Sequence, residues 1–400
     1  MKKISGGVTS PKGFLAAGVS CGIKKSKRPD LALLYSDRPC VCAGLFTTNA
    51  FRSGSVVLAE TLVGKGRAQA IVVNSGNANC CVGKRELKDA GEITGLVAKG
   101  LGLKKDDVLI ASTGIIGRPL QMNKIRTKVL LLVKGLKKGA AARFAKAIMT
   151  TDTVPKETAV KLIIGGKWVR VAGAAKGSGM ICPNMATMLA FFTTDALIEK
   201  AALKHAFKQS VSESFNKITV DGDMSTNDTA MILANGLAGN KAIKKGTSAY
   251  IKFLNALKFV SEELARKIVL DGEGATKFVE IAVKGAEDAG AAERIARHVA
   301  DSNLIKTMIA GGDPNWGRVA ASIGSSGVAV KKNRVDVYFN KRLVMKNGSG
   351  ANASIRTLLN IFKKKEIGIL IDLKSGKGFS KVWTCDLTED YVKINSEYET

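Results

Sequence analysis

Thr187 stands in the stretch GMICPNMATMLAFF, residues 179–192, behind a glycine-rich turn and a proline and ahead of an apolar run. A threonine can perform acyl chemistry by itself when it heads a chain. Its free α-amino group, with a reference pKa of about 7.7 to 8, then lies beside its own hydroxyl and serves as the base. An internal threonine reaches that state if its Oγ attacks the preceding carbonyl and the resulting ester is hydrolysed. The bond to be cut is the one between Ala186 and Thr187. Alanine presents little bulk to such an attack, and Gly177, Gly179 and Pro183 permit an unusual backbone path. An Ala-Thr pair is equally ordinary in a buried strand, so this stretch alone leaves both readings open.

The usual proton shuttles are scarce. Histidine occurs only at His205 and His298, each within a helical pattern and off the glycine-rich loops, which argues against a Ser-His-Asp arrangement. In IASTGIIGR, residues 110–118, a strand is expected to run into a tight turn at Thr113-Gly114, where glycine lets backbone N–H groups approach a ligand and form an oxyanion hole. VVNSGNANCC and AGGDPNWGR are polar loops suited to shaping a pocket. The acids Asp221, Asp223 and Asp228 in TVDGDMSTNDT resemble a calcium loop only faintly, because no glutamate stands at the distal ligand position. Glu273, between glycines in LDGEGATK, is a turn residue that could also bind an ammonium group.

Around these residues the pattern is mixed. Runs such as AQAIVV, DVLIAS, VRVAGAA, FVEIAV, VDVYF and IGILIDL read as strands. DAGEITGLVAKGLG, AARFAKAIMT, EKAALKHAFKQSVSESF, TSAYIKFLNALKFVSEELARKIV and AAERIARHVADSNLIKTMIA read as helices. The two kinds are grouped rather than strictly alternating, which favours an α+β layered fold over a doubly wound sheet. A subdomain could occupy about 280–400.

With 400 residues and 46% hydrophobic content the chain can bury a sizeable core. No run approaches the ~18 apolar residues of a membrane helix, and the reading is a soluble, cytoplasmic protein. Seven cysteines without a secretory signal argue for reduced thiols, and Cys40-x-Cys42 lacks a second ligand pair, so no metal is expected. The formal charge of +28 attracts anions. Its lysines are scattered, as in GIKKSKRPD, LVKGLKKG and IFKKKE, without aromatic interleaving, which reads as a solvated surface rather than a nucleic-acid interface.

The ordered series GGVTSPKGFLAAGV, VVNSGNAN, STGIIGR, MTTDTVPK, AAKGSGMICPNMATMLAFFTTDA, SFNKITVDGDMSTNDT, DGEGATK, AGGDPNWGRV and INSEYET, which spans nearly the whole chain, resembles the ornithine acetyltransferase / glutamate N-acetyltransferase family of arginine biosynthesis. The resemblance implies an α/β sandwich of the self-processing aminopeptidase type with an N-terminal threonine nucleophile. It implies self-cleavage into an α chain, 1–186, and a β chain, 187–400, assembled as α2β2. Thr187 would take an acetyl group from N-acetylornithine and pass it to glutamate in a ping-pong cycle, with no bound cofactor and acetyl-CoA as a further co-substrate of bifunctional members.

By the same resemblance Thr113 and Gly114 form the oxyanion hole, and Thr150, Lys176, Thr187, Glu273, Asn395 and Thr400 contact substrate. Thr151 adjoins Thr150 in the same motif and competes for its role. Lys176 would meet a carboxylate and Glu273 an ammonium, while Asn395 offers donor and acceptor. Cys182 reads as an inert packing residue. The competing enzyme class is an amide-hydrolysing aminopeptidase on a related self-cleaving fold. A basic nucleic-acid-binding protein would rest on charge alone.

Overall fold

In the computed structural model, residues 1–182 and 188–397 are described. Two compact units divide the chain, one of Met1–Asn216 with Met224–Ile268 and one of Lys217–Asp223 with Val269–Glu399. The first unit lies on both sides of the expected scission point.

The first unit is built on a mixed sheet of nine strands among the described residues: β1 (Lys2–Ile4), β2 (Phe14–Val19), β3 (Leu31–Phe46), β4 (Arg67–Asn77), β5 (Val108–Ile115), β6 (Lys156–Ile164), β7 (Lys167–Lys176), β8 (Leu189–Thr194) and β9 (Thr229–Ala234). The order is β1-β6-β7-β8-β9-β3-β4-β5, with β2 also on the long β3. Pairs β8–β9 and β4–β5 are parallel and the others antiparallel. Its helices are α1 (Gly54–Gly64), α2 (Arg85–Leu101), α3 (Met122–Lys134), α4 (Ala141–Ile148), α5 (Lys200–Ser212) and α6 (Ser248–Leu270).

The layering is legible in two consecutive residues of β8. Successive strand side chains face opposite ways. Phe191 meets Phe144 of α4 edge-on at 5.4 Å, whereas Phe192 meets Phe207 of α5 at 5.4 Å and Phe215 at 6.1 Å. Helices therefore cover both faces, and β8 is buried throughout, which is why LAFF reads as a continuous apolar run.

The second unit has a six-stranded sheet among the described residues, ordered β13-β12-β11-β14-β10-β15. Its strands are β10 (Phe278–Ala286), β11 (Asp336–Phe339), β12 (Arg342–Lys346), β13 (Ser349–Gly350), β14 (Glu366–Asp372) and β15 (Gly378–Cys385). Helices α7 (Ala289–Ala300), α8 (Asn303–Ala310), α9 (Trp316–Gly324), α10 (Ile355–Phe362) and α11 (Glu389–Glu397) complete it. The expected single helix over AAERIARHVADSNLIKTMIA is two, α7 and α8. It breaks where Asp301 accepts the Thr219 hydroxyl at 2.5 Å and Ser302 turns extended ahead of α8.

The fold is the layered α/β arrangement expected. Both histidines are helical and have partners: His205 Nδ1 lies 2.6 Å from the Tyr250 hydroxyl and His298 Nε2 2.9 Å from that of Ser325. Cys40 and Cys42 are buried in β3, and burial pushes both thiols up to about 12. Among the described residues no three metal-ligating side chains gather, and no helix is long and apolar enough to cross a membrane.

Candidate active site

Thr113 and Gly114 do not form the turn that the sequence suggests. Strand β5 continues through both to Ile115, and the departure from regular pairing is a bulge against Gly76 and Asn77 of β4. Gly114 has φ +128°, and a Cβ there would lie 2.4 Å from the Gly76 carbonyl carbon and 2.5 Å from the Asn77 nitrogen. No other residue fits this close approach of two backbones.

The polar end of β4, which the sequence suggests is a loop, supports that bulge. Asn74 Nδ2 donates to the Asn77 carbonyl at 2.8 Å, and Ser112 Oγ donates to Asn74 Oδ1 at 2.6 Å. Asn77 Nδ2 reaches the Arg118 carbonyl at 2.9 Å. Asn227 then ties three segments together, its Nδ2 donating to the carbonyls of Ala78 (2.7 Å) and Ser112 (2.9 Å) and to Ser53 Oγ (3.0 Å). Asn74 and Asn77 of VVNSGNANCC, with Asn227, thus form the frame behind Thr113, whereas Asn315 of AGGDPNWGR caps α9.

Lys176, the last residue of β7, is buried, and its Nζ lies 3.3 Å from Thr113 Oγ1. A buried ammonium needs opposite charge. Asp152 supplies it from MTTDTVPK, a motif in which the resemblance points only to the threonines. Its carboxyl accepts from Lys156 Nζ at 2.6 Å, Gly177 N–H at 2.7 Å and Thr150 N–H at 3.0 Å. Burial works against the anion, but Lys156, Lys176 and the Gly177 N–H hold this carboxyl well below the usual range. Thr150 therefore reaches the cluster through its backbone.

Two further residues join this site. Lys24 belongs to GIKKSKRPD, which the sequence suggests is solvated surface. Instead the loop is pinned by Asp30, whose carboxylate accepts the N–H groups of Cys21, Gly22, Ile23 and Lys24 at 2.6 to 3.1 Å. Burial brings the Lys24 ammonium down to about 8, with Asp30 opposing and Lys176 adding to the fall. A run of lysines hides such a residue, because nothing in composition separates the inward one from its neighbours. Asp228, just ahead of β9, is buried and accepts the Met188 N–H at 3.0 Å. Burial raises its carboxyl well above the usual range, against the Met188 N–H and the Lys176 charge.

In the second unit Asn395 Nδ2 donates to Glu273 Oε2 at 2.9 Å, so two of the expected substrate contacts are partners. Gly274, at φ +68°, lets the turn approach α11, since a Cβ there would meet the Tyr391 nitrogen at 2.5 Å. Tyr391 donates its hydroxyl to Asp221 at 3.2 Å, and burial, then that carboxylate, raises its phenol. Asp221 is thus engaged with Tyr391. Ala186, Thr187 and Thr400 lie outside the described residues, while Cys182 is half-buried.

A mixed sheet between two helical layers carries a buried lysine-carboxylate cluster with no histidine in it. Curated relatives are alike along the full chain. The arginine biosynthesis bifunctional protein ArgJ of Caldanaerobacter subterraneus is 46% identical over 404 residues, covering all of both chains. That of Geobacter sulfurreducens is 47% identical over 97% of this chain and 99% of its own. A solved structure of the arginine biosynthesis bifunctional protein from Bacillus halodurans is 39% identical with a TM-score of 0.50, covering 52% of this chain and 97% of that one. The ArgJ family model matches residues 15–400, and the chain belongs to the ArgJ family. It is an acyltransferase of arginine biosynthesis.

Proposed function

We propose that the chain cleaves itself between Ala186 and Thr187 and that the new N-terminal threonine transfers acetyl from N-acetylornithine to glutamate through an acetyl-Thr187 intermediate. Thr187 Oγ attacks the acetyl carbonyl, its α-amino group takes the proton, and the departing amine receives it. Thr113 and Gly114 supply the oxyanion hole, each donor contributing roughly 3 to 4 kcal/mol to the transition state. Lys176 meets the substrate carboxylate, Glu273 and Asn395 its ammonium end, and Thr150 and Thr400 complete the contacts. Thr150 is preferred to Thr151 because its backbone is bonded into the Asp152 cluster.

The observation that carries this reading is the buried approach of the Lys176 ammonium to the Thr113 hydroxyl at 3.3 Å. Positive charge beside a hydroxyl, away from water, favours an oxyanion formed there. No cofactor is needed for these steps. The relatives are named bifunctional, which supports acetyl-CoA as a second acetyl donor. The working form is a cytoplasmic α2β2 assembly, free of nucleic acid and membrane.

Incubation with N-acetylornithine tests the transfer. Ornithine release that requires glutamate is expected; equal release without an acceptor would make the protein an amide hydrolase of the aminopeptidase kind.

A further inference from the structure

Cys80 and Cys81 end the polar stretch VVNSGNANCC, and no step of the acyl transfer uses them. Their sulfurs lie 3.6 Å apart. Cys80 is buried, with its Sγ 3.3 Å from the Phe51 carbonyl, whereas Cys81 is exposed. The chain turns sharply here: Asn79 at φ +51° and Cys81 at φ +59° both hold the left-handed conformation that residues with side chains seldom adopt. One thiol thus faces solvent and touches a second that does not.

The same turn is fastened to the end of β5. Ala78 N–H donates to the Ile115 carbonyl at 2.9 Å, and Gly117 N–H donates to the Cys80 carbonyl at 2.9 Å. Asn79 Nδ2 donates to the Glu86 carbonyl and Val82 N–H to Glu86 Oε1, each at 2.9 Å, which anchors the turn to α2. Thr113 and Gly114 directly precede the first of these ties. The Cys80 carbonyl belongs to the peptide that joins the two cysteines, so a bond between their sulfurs would enclose that peptide in a small ring. Adjacent Cα atoms are about 3.8 Å apart, short of the roughly 4.4 to 6.8 Å that relaxed disulfides span. The ring therefore closes only if the peptide twists, and its carbonyl then leaves Gly117.

We infer that Cys80 and Cys81 form a redox-sensitive vicinal dithiol, which a hydroperoxide closes to a disulfide and a small dithiol reopens, and that closure disturbs the Thr113-Gly114 strand and slows turnover. The effect on turnover rests on the oxyanion role given above to Thr113 and Gly114; formation of the bond does not. Peroxide meets the exposed Cys81 first, giving its sulfenic acid and a water. Cys80 Sγ then attacks the Cys81 sulfur, the S–O bond breaks, and the hydroxyl leaves with the Cys80 proton as a second water. Burial pushes the Cys80 thiol up to about 11, which suits it to be the resolving sulfur rather than the one oxidised first. Strain in the ring keeps the disulfide easily reduced, so the change is reversible.

The test uses the full chain carrying Cys182→Ala, which removes the other cysteine that is not buried. The protein is treated with hydrogen peroxide, quenched in acid, denatured, alkylated with iodoacetamide and digested, and glutamate-dependent release of ornithine is measured in parallel. The peptide holding both cysteines is expected to lose both alkylation sites and a pair of hydrogens, while turnover falls ~10-fold. Dithiothreitol restores both. With Cys80→Ser added, turnover before treatment stays within about twofold, peroxide no longer lowers it, and dimedone captures the sulfenic acid on Cys81. Three results overturn the proposal: both thiols stay alkylatable after peroxide, the disulfide forms with turnover unchanged, or the Cys80→Ser protein is inhibited like its parent. Should Cys80→Ser not fold, Cys80→Ala is put through the same measurements. A reduced protein that releases no ornithine at any glutamate concentration counts against the transfer reading instead. Loss of the alkylation sites together with faster amide exchange at Gly117 then decides for the dithiol, and their absence against it.

Discussion

Gly114 carries a sharper constraint than any neighbour, since the space for its side chain is occupied by the backbone of Gly76 and Asn77. Gly114→Ala is expected to destabilise the protein by about 3 kcal/mol or more, from the clash and the positive φ together, a loss that denaturant unfolding would register. Thr113→Ala leaves the backbone alone and should slow both scission and turnover, by ~100-fold if its side chain stabilises the oxyanion in both. Normal scission with normal turnover in that variant would remove Thr113 from the chemistry. Asp152→Asn acts by another route: it takes the carboxylate away from the ammonium of fully buried Lys156, and removing one partner of a buried pair typically costs about 3 to 5 kcal/mol. Cys182→Ala should leave processing untouched.

At the scale of elements, the site is assembled by side chains that bridge strands distant in sequence. Asn227 reaches the carbonyls of Ala78 and Ser112 and the hydroxyl of Ser53, so it fixes β5 against the start of β9. Asn227→Ala leaves those buried acceptors unsatisfied and is expected to cost about 2 to 3 kcal/mol, with turnover falling further than stability predicts because Thr113 follows Ser112 directly. Equal turnover at reduced stability would make the network purely structural. Periodicity placed the strands and helices well because their burial is regular. It placed β5 short, because a bulge made by two glycines on adjacent strands has the composition of a turn. Asp152 and Lys24 stayed hidden because pairing across strands leaves no local spacing to read, and the Thr113-Lys176 pair became visible only through resemblance.

For the molecule as a whole, two buried carboxyls with opposite shifts set opposite pH dependences. Asp152 is depressed in the folded state, so its stabilisation is present above the unfolded carboxylate value of about 3.9 and is lost as pH falls toward the folded value. Asp228 is raised, so its contribution is complete below about 3.9 and is lost as pH rises toward the folded value. Thermal unfolding across pH should therefore show Asp152→Asn flattening the decline on the acid side, while Asp228→Asn flattens the decline that sets in above about pH 4. The formal charge of +28 lies over a surface where most lysines are solvated, and Lys24 shows that the same composition also feeds the site.

Self-cleavage at one peptide bond is the claim from which the nucleophile, its base and the two-chain organisation all follow. Intact-mass spectrometry of purified wild type beside Thr187→Ala addresses it directly. The account predicts two fragments for the wild type, the larger beginning at Thr187, and one inactive full-length species for the variant. An active wild type that runs as a single unbroken chain, or an alanine variant that turns over normally, would contradict it.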